Sequence, residues 1–302
     1  MGDVLVRAAC FVAVILLGYV LRRVGVFHED AFHVLSRIVL KITLPAAIVV
    51  SFSGKEIAPS MLFICLLGFG FGALYIGLGF LMSRKRPPEK RAFDMLNLAG
   101  YNIGNFTLPF VQSFLGPAGV ITTSLFDTGN SFICLGGAFG FARMVQRGER
   151  FSFVQIGKAL LRSVPFLTYI TMTVLALLHL ALPQPVIEFA QIAAGANAFL
   201  AMLMIGIGFQ VNCSREHIFH IARILSVRYG VALLGALACY FALPLALEYR
   251  QALALLVFSP IASAAPPFTA ELENDFGLSS AVNSVSILVS IVCITVLLTI
   301  ML

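Results

Sequence analysis

Asn102, Gly104, Asn105 and Pro109 fall within one stretch, Y-N-I-G-N-F-T-L-P-F-V-Q at Tyr101–Gln112, inside a long apolar segment. A lipid-facing helix has no use for these residues. Proline lacks an N–H and its ring clashes with the preceding turn, so a helix breaks or kinks just before Pro109. Gly104 lowers the cost of unwinding there. Two half-helices would then meet, with N–H groups and partial positive charge on one side and free carbonyls on the other. Asn102 and Asn105 are three residues apart and share a face while the helix persists. Such a stretch could bind a polar or anionic group through amides and open backbone, in a protein-lined cavity, because lipid tolerates no unsatisfied backbone. A plain proline kink filled by neighbouring helices would account for one such stretch. A second lies at Ser259-Pro260 and Ser263–Pro267, and the pair favours a binding site to which Ser263, Pro266 and Pro267 also contribute.

Asp127 stands in the middle of another apolar segment, S-L-F-D-T-G-N-S. A carboxylate at the centre of a span costs about 2.5–3.5 kcal/mol. Asp127 is therefore expected to be protonated, paired or solvated in a cavity, with Asn130 beside it at i+3. It could couple a proton or cation, or serve only as a structural hydrogen-bond partner. Glu271, just past the second break, and Asn283 are further coupling candidates. Asn197 is an intramembrane amide that could line the substrate path or bond across helices. Lys41, Arg162 and Arg228 are expected near cytoplasmic helix ends, where they snorkel, although one could attract an anion. Gly68, Gly70, Gly72, Gly77 and Gly79 are expected to form a close-packing face. No Ser–His pair or metal-ligand set supports an enzyme or a metal site, and no cofactor is expected beyond a coupling proton or sodium ion.

The elements that hold these residues follow from composition. Of the 302 residues, 60% are hydrophobic and 11% charged, with a mean hydropathy of +0.98. Soluble domains are roughly a quarter charged, so the chain reads as an all-α polytopic membrane protein. At about 25–30 residues for each span and its connection, about ten spans fit. They are expected near 4–22, 31–52, 60–82, 91–115, 118–144, 154–182, 185–211, 217–247, 250–275 and 279–302. The first is expected to be retained as a span, with no signal-peptide cleavage site after it. The eighth should begin as an amphipathic interfacial turn around His217, His220 and Arg223. Six cysteines, Cys10, Cys65, Cys134, Cys213, Cys239 and Cys293, read as free apolar thiols.

Seventeen of the twenty lysines and arginines lie in or beside the connections after spans 1, 3, 5 and 7, and only Arg7, Lys55 and Arg250 lie on the opposite side. Both termini are therefore expected outside, with the basic loops cytoplasmic. The net charge of +6 then reflects those loops and not a nucleic-acid partner. Pro109 and Pro267 stand 158 residues apart, five spans on, which would place them in oppositely oriented halves, 1–150 and 151–302. Inverted repeats with matched interrupted segments point to a transporter's central site.

At these residues the chain resembles the auxin efflux carrier family. G-Y-V-L-R-R-V-G-V-F (Gly18–Phe27), L-P-A-A (Leu44–Ala47), N-I-G-N-F-T-L-P (Asn102–Pro109) and D-T-G-N (Asp127–Asn130) are similar to its first, second, fourth and fifth helices. P-I-A-S-A-A-P-P-F (Pro260–Phe268), followed by Phe276-Gly277, is similar to its ninth, although members often carry Asn where Pro266 stands here. The resemblance implies ten helices in two inverted five-helix repeats. Helices 4 and 9 would cross, broken, at their prolines, an arrangement similar to that of bile-acid symporters, beside a scaffold of helices 1, 2, 6 and 7. It further implies a secondary carrier of small organic anions with an elevator motion, and a homodimer. A sodium-coupled symporter and a ligand-binding membrane sensor are the rival readings.

Overall fold

Helices satisfy all their backbone polar groups within one segment, so apolar runs that must lie in lipid adopt them. The computed structural model describes residues 2–28, 30–55, 57–209 and 215–302, and it is all-helical over them, with no strand. Glu29, Glu56 and Asn212–Ser214 of the expected connections, Cys213 included, lie outside the described residues.

Six helices are long and apolar enough to cross a membrane: α1 (Gly2–Arg23), α2 (Asp30–Phe52), α3 (Pro59–Met82), α10 (Gln184–Gly208), α11 (Arg215–Phe241) and α14 (Phe276–Met301). The other expected spans are built from shorter pieces. The fourth is α4 (Pro88–Leu98) and α5 (Leu108–Phe114), the fifth α6 (Gly116–Phe132) and α7 (Ala138–Arg147), and the ninth α12 (Leu247–Leu256) and α13 (Ala265–Glu271). The sixth comprises α8 (Phe153–Arg162) and α9 (Val164–Leu177), bent 80° apart.

The breaks have local causes. Pro109 sits in the first turn of α5, and the turn before it, Ile103–Thr107, is widened to a π turn because proline donates no hydrogen bond back into it. Pro45 has the same effect in α2, where Val39–Thr43 is widened but the helix continues. Pro165 opens α9, and Ser163 accepts a hydrogen bond from the Phe166 N–H at 3.4 Å as its N-cap.

One expectation is extended here and another corrected. The start of α11 is amphipathic, with Ile218 and Phe219 exposed, and α8, whose Phe153, Val154 and Leu161 are exposed, is a second such piece. On the other face of α11, His220 and Arg223 turn inward to the fully buried Asp94 of α4, His220 Nε2 lying 2.6 Å from Oδ1 and Arg223 donating to Oδ2. A buried carboxylate needs such partners. The glycine face of α3 is also narrower than expected. Gly68, Gly72 and Gly79 meet α6, Ile133 and α4, whereas Gly70 and Gly77 face open space, as helical periodicity requires. Gly68 and Gly129 bring the backbones of α3 and α6 together so closely that a Cβ on either would strike the other's carbonyl.

Helices α1, α2, α9 and α10 pack on one another. The pieces α3 to α7 and α11 to α14 form a second group, in which α3 packs on α4 and α6, and α11 on α12 and α14. The groups meet where α6 contacts α2 and α9, α14 contacts α1, and α5 contacts α10. The five described cysteines are free thiols, as expected.

Candidate functional site

Between α4 and α5 the chain is non-helical around Ala99–Asn102, and between α12 and α13 it is non-helical from about Ser259 to Ala262. These two breaks lie against each other. The Asn102 N–H donates to the Pro260 carbonyl at 2.9 Å, and the Thr107 hydroxyl donates to Ser259 Oγ at 2.6 Å. Each break is held by an asparagine one helix further along the chain. Asn130 of α6 accepts from the Tyr101 N–H and donates to the Tyr101 carbonyl, both at 3.0 Å. Asn283 of α14 donates to the carbonyls of Ile261 at 2.9 Å and Ala262 at 3.3 Å, while Ser286 accepts from the Ile261 N–H at 3.1 Å. Backbone groups that could not be left bare at this depth are thereby satisfied.

A larger contributor was missed at the sequence level. Arg228 of α11, expected to snorkel, is completely buried. Its Nη1 donates to the Leu98 carbonyl at 2.6 Å, and its Nη2 to those of Gly100 and Ser259 at 2.9 Å and Pro260 at 3.2 Å. The rings of Tyr75 and Tyr101 lie 4.9 and 4.7 Å from the guanidinium carbon. One signal could have found it. Arg228 is thirteen residues inside α11 from Arg215, too deep for a side chain to reach the interface comfortably.

Two cavities, each of about 360 Å³, flank the crossing. The first is lined by Asn102, Asn105, Asp127, Asn130 and Ser263 from the second group of helices, by Lys41 of α2 and by Arg162 at the end of α8. The second is lined by Asn102, Asn105, Ser263, Pro266, Pro267 and Asn283, with Arg22 and His33 at its edge. Asn102, Asn105 and Ser263 are thus common to both walls. Their side chains make no hydrogen bond among the described residues, and Asn105 Oδ1 is buried without a partner.

Asp127 faces the first cavity half-buried, taking Asn130 Nδ2 on Oδ1 at 2.8 Å and the Tyr169 hydroxyl of α9 on Oδ2 at 2.9 Å. Three residues expected at the site lie away from both cavities. Pro109 is buried in α5, where it creates the break without lining it. Asn197 is fully buried in α10, accepting from the Thr43 hydroxyl at 2.9 Å and donating to Gln112 Oε1 at 3.4 Å. Glu271 is exposed at the end of α13, where its carbonyl accepts from Arg147 at 3.2 Å.

An all-helical polytopic membrane protein whose interrupted helices meet beside polar, partnerless side chains is built to pass a solute. The sequence comparison agrees. The family model described as membrane transport protein matches residues 4–159, and the chain belongs to that family, the auxin efflux carrier family. It is a family of transporters and not of enzymes. No curated protein matches the chain.

Proposed function

We propose that the protein is a secondary carrier of a small organic anion, and that Asn102, Asn105 and Ser263 bind it at the crossing of the two breaks. One observation carries this reading: three polar side chains without protein partners stand in the wall shared by two cavities. Asn105 Oδ1 is the buried orphan among them, and because buried polar groups are normally hydrogen-bonded, such an exception at a cavity marks a place for a ligand. A cavity of about 360 Å³ falls at the small end of the ~300–1,000 Å³ range of ligand pockets. Lys41 and Arg162 line the same cavity and raise the local concentration of anions.

The positive-inside bias sets the orientation, with both termini outside. The cavities then open to the cytoplasm, because Arg22, His33 and Arg162 adjoin the basic connections. On the other side Thr43, Asn197 and Gln112 form a hydrogen-bonded seal, and Phe11 packs edge-on against Phe110 at 4.9 Å between ring centroids. This is an inward-facing state. The helix groups act as scaffold (α1, α2, α9 and α10) and moving core (α3 to α7 and α11 to α14), in two inverted repeats, 1–150 and 151–302. Three correspondences support the repeat: α1 packs on α10 as α9 packs on α2, α3 on α6 as α11 on α14, and α1 on α14 as α9 on α6. The paired roles of Asn130 and Asn283 add a fourth. Asp127, tied to the scaffold through Tyr169, carries the coupling proton.

Uptake of labelled carboxylates into proteoliposomes tests the assignment. Asn105→Ala should reduce uptake at least tenfold at unchanged expression, and normal uptake by that variant would refute the site.

A further inference from the structure

The carbonyl ends of the two breaks converge on one buried cation. Leu98 closes α4 and Leu256 closes α12, and beyond each helix the freed carbonyls carry the negative end of its dipole. Carriers with interrupted helices satisfy such carbonyls with a coupling sodium ion. Here Leu98, Gly100, Ser259 and Pro260 direct theirs at the Arg228 guanidinium. No carboxylate pairs with Arg228 among the described ion pairs. A buried charge without a counter-ion is expensive, so the carbonyls and the two tyrosine faces must hold it. Tyr101 lines the first cavity with its ring against the guanidinium, which places the charge one ring behind the cavity wall.

We propose that Arg228 is a tethered cation standing where a coupling sodium ion would bind, so that the crossing is cation-loaded at all times and sodium-independent. The inference rests on the reading of the crossing as the substrate site and deepens it. Arg228 lines neither of the two cavities. It is a positioning residue, joining the breaks and lending the amides of Asn102 and Asn105 a fixed positive field that favours an anion. A planar guanidinium suits the task because its donors fan out to several acceptors at once, which a Lys ammonium does less well.

Thermal unfolding of purified protein tests this without reference to transport, so it can fail while the carrier reading stands, and the reverse. Wild-type protein should have the same Tm in sodium chloride and in choline chloride of equal ionic strength. Arg228→Ala should unfold earlier in choline, and sodium or dilute guanidinium ion should raise its Tm by about 3 °C or more. A sodium-specific rise in wild-type Tm would overturn the proposal, as would an Arg228→Ala protein indifferent to both cations. Should Arg228→Ala not yield folded protein, Arg228→Lys is compared with Arg228→Met. More folded protein from the lysine variant supports a role for charge, and a lysine variant no better than the methionine one overturns it.

Discussion

Asn130 and Asn283 commit their amides to the backbone of the breaks, while Asn102 and Asn105 keep theirs free, and the two pairs should respond differently to the same truncation. Asn130→Ala removes four hydrogen bonds and orphans the Tyr101 N–H in a buried place. The expected loss is about 2–4 kcal/mol, read as a lower Tm in detergent. Asn105→Ala removes a buried oxygen that has no partner, so its Tm should be unchanged or raised even though uptake is lost. A matching fall in Tm for both variants would mean that Asn105 is structural as well. Asp127→Asn keeps an acceptor for Tyr169 but cannot titrate. Its uptake should no longer respond to an imposed pH gradient, and a wild-type response would remove Asp127 from the coupling role.

At the level of elements, each of the two breaks at the crossing pairs a proline with a polar clamp from the next helix. Pro109, Pro267, Asn130 and Asn283 could all be picked out from the chain, but the clamping role of the two asparagines could not, because the backbone each one holds lies 29 and 22 residues away. Elsewhere small residues set the fit between helices. Gly129→Ala would drive its Cβ into the Cys65 carbonyl, and moving two packed helices apart should cost about 1–3 kcal/mol. Gly70→Ala meets no neighbouring atom and should stabilise α3 by roughly 0.5–1 kcal/mol, the usual gain on replacing a mid-helix glycine. Thermal unfolding of the two variants side by side measures the difference. A Gly129→Ala protein as stable as wild type would show that the α3–α6 contact is looser than described.

For the molecule as a whole, the proposed elevator mechanism would place its motion at the contact between scaffold and core. Its hydrogen bonds are few. Tyr169 to Asp127 joins α9 to α6, Asn197 to Gln112 joins α10 to α5, and Arg7 to the Ser113 carbonyl joins α1 to α5. Each can break and re-form during a sliding motion at small cost, whereas the bonds around Arg228 all lie within the core. In an inward-facing carrier, a cysteine at Ser263 in a cysteine-free background should react with a membrane-impermeant thiol reagent from the cytoplasmic side only. Labelling from outside in the absence of substrate would contradict the assigned orientation.

Membrane character, helical content and the places where helices fail were legible in the chain because they depend on local chemistry: apolar runs, proline's missing N–H, and the bias of basic loops. The polar residues at depth were legible too, since a carboxylate or amide in an apolar segment demands an explanation wherever it lies. Their roles were not. Whether an asparagine clamps a backbone or faces a cavity depends on which carbonyls happen to be within reach, and those come from a neighbouring helix more than twenty residues away in the chain. Asn197, which could have lined the path or bonded across helices, does the latter with Thr43 and Gln112, and Glu271, a further candidate beside Asp127, lies at the surface at the end of α13. Arg228 makes the point most strongly. As a residue in an apolar helix it was one more basic side chain to be counted. Only the folding of two helix breaks onto it turned that charge into the centre of the crossing.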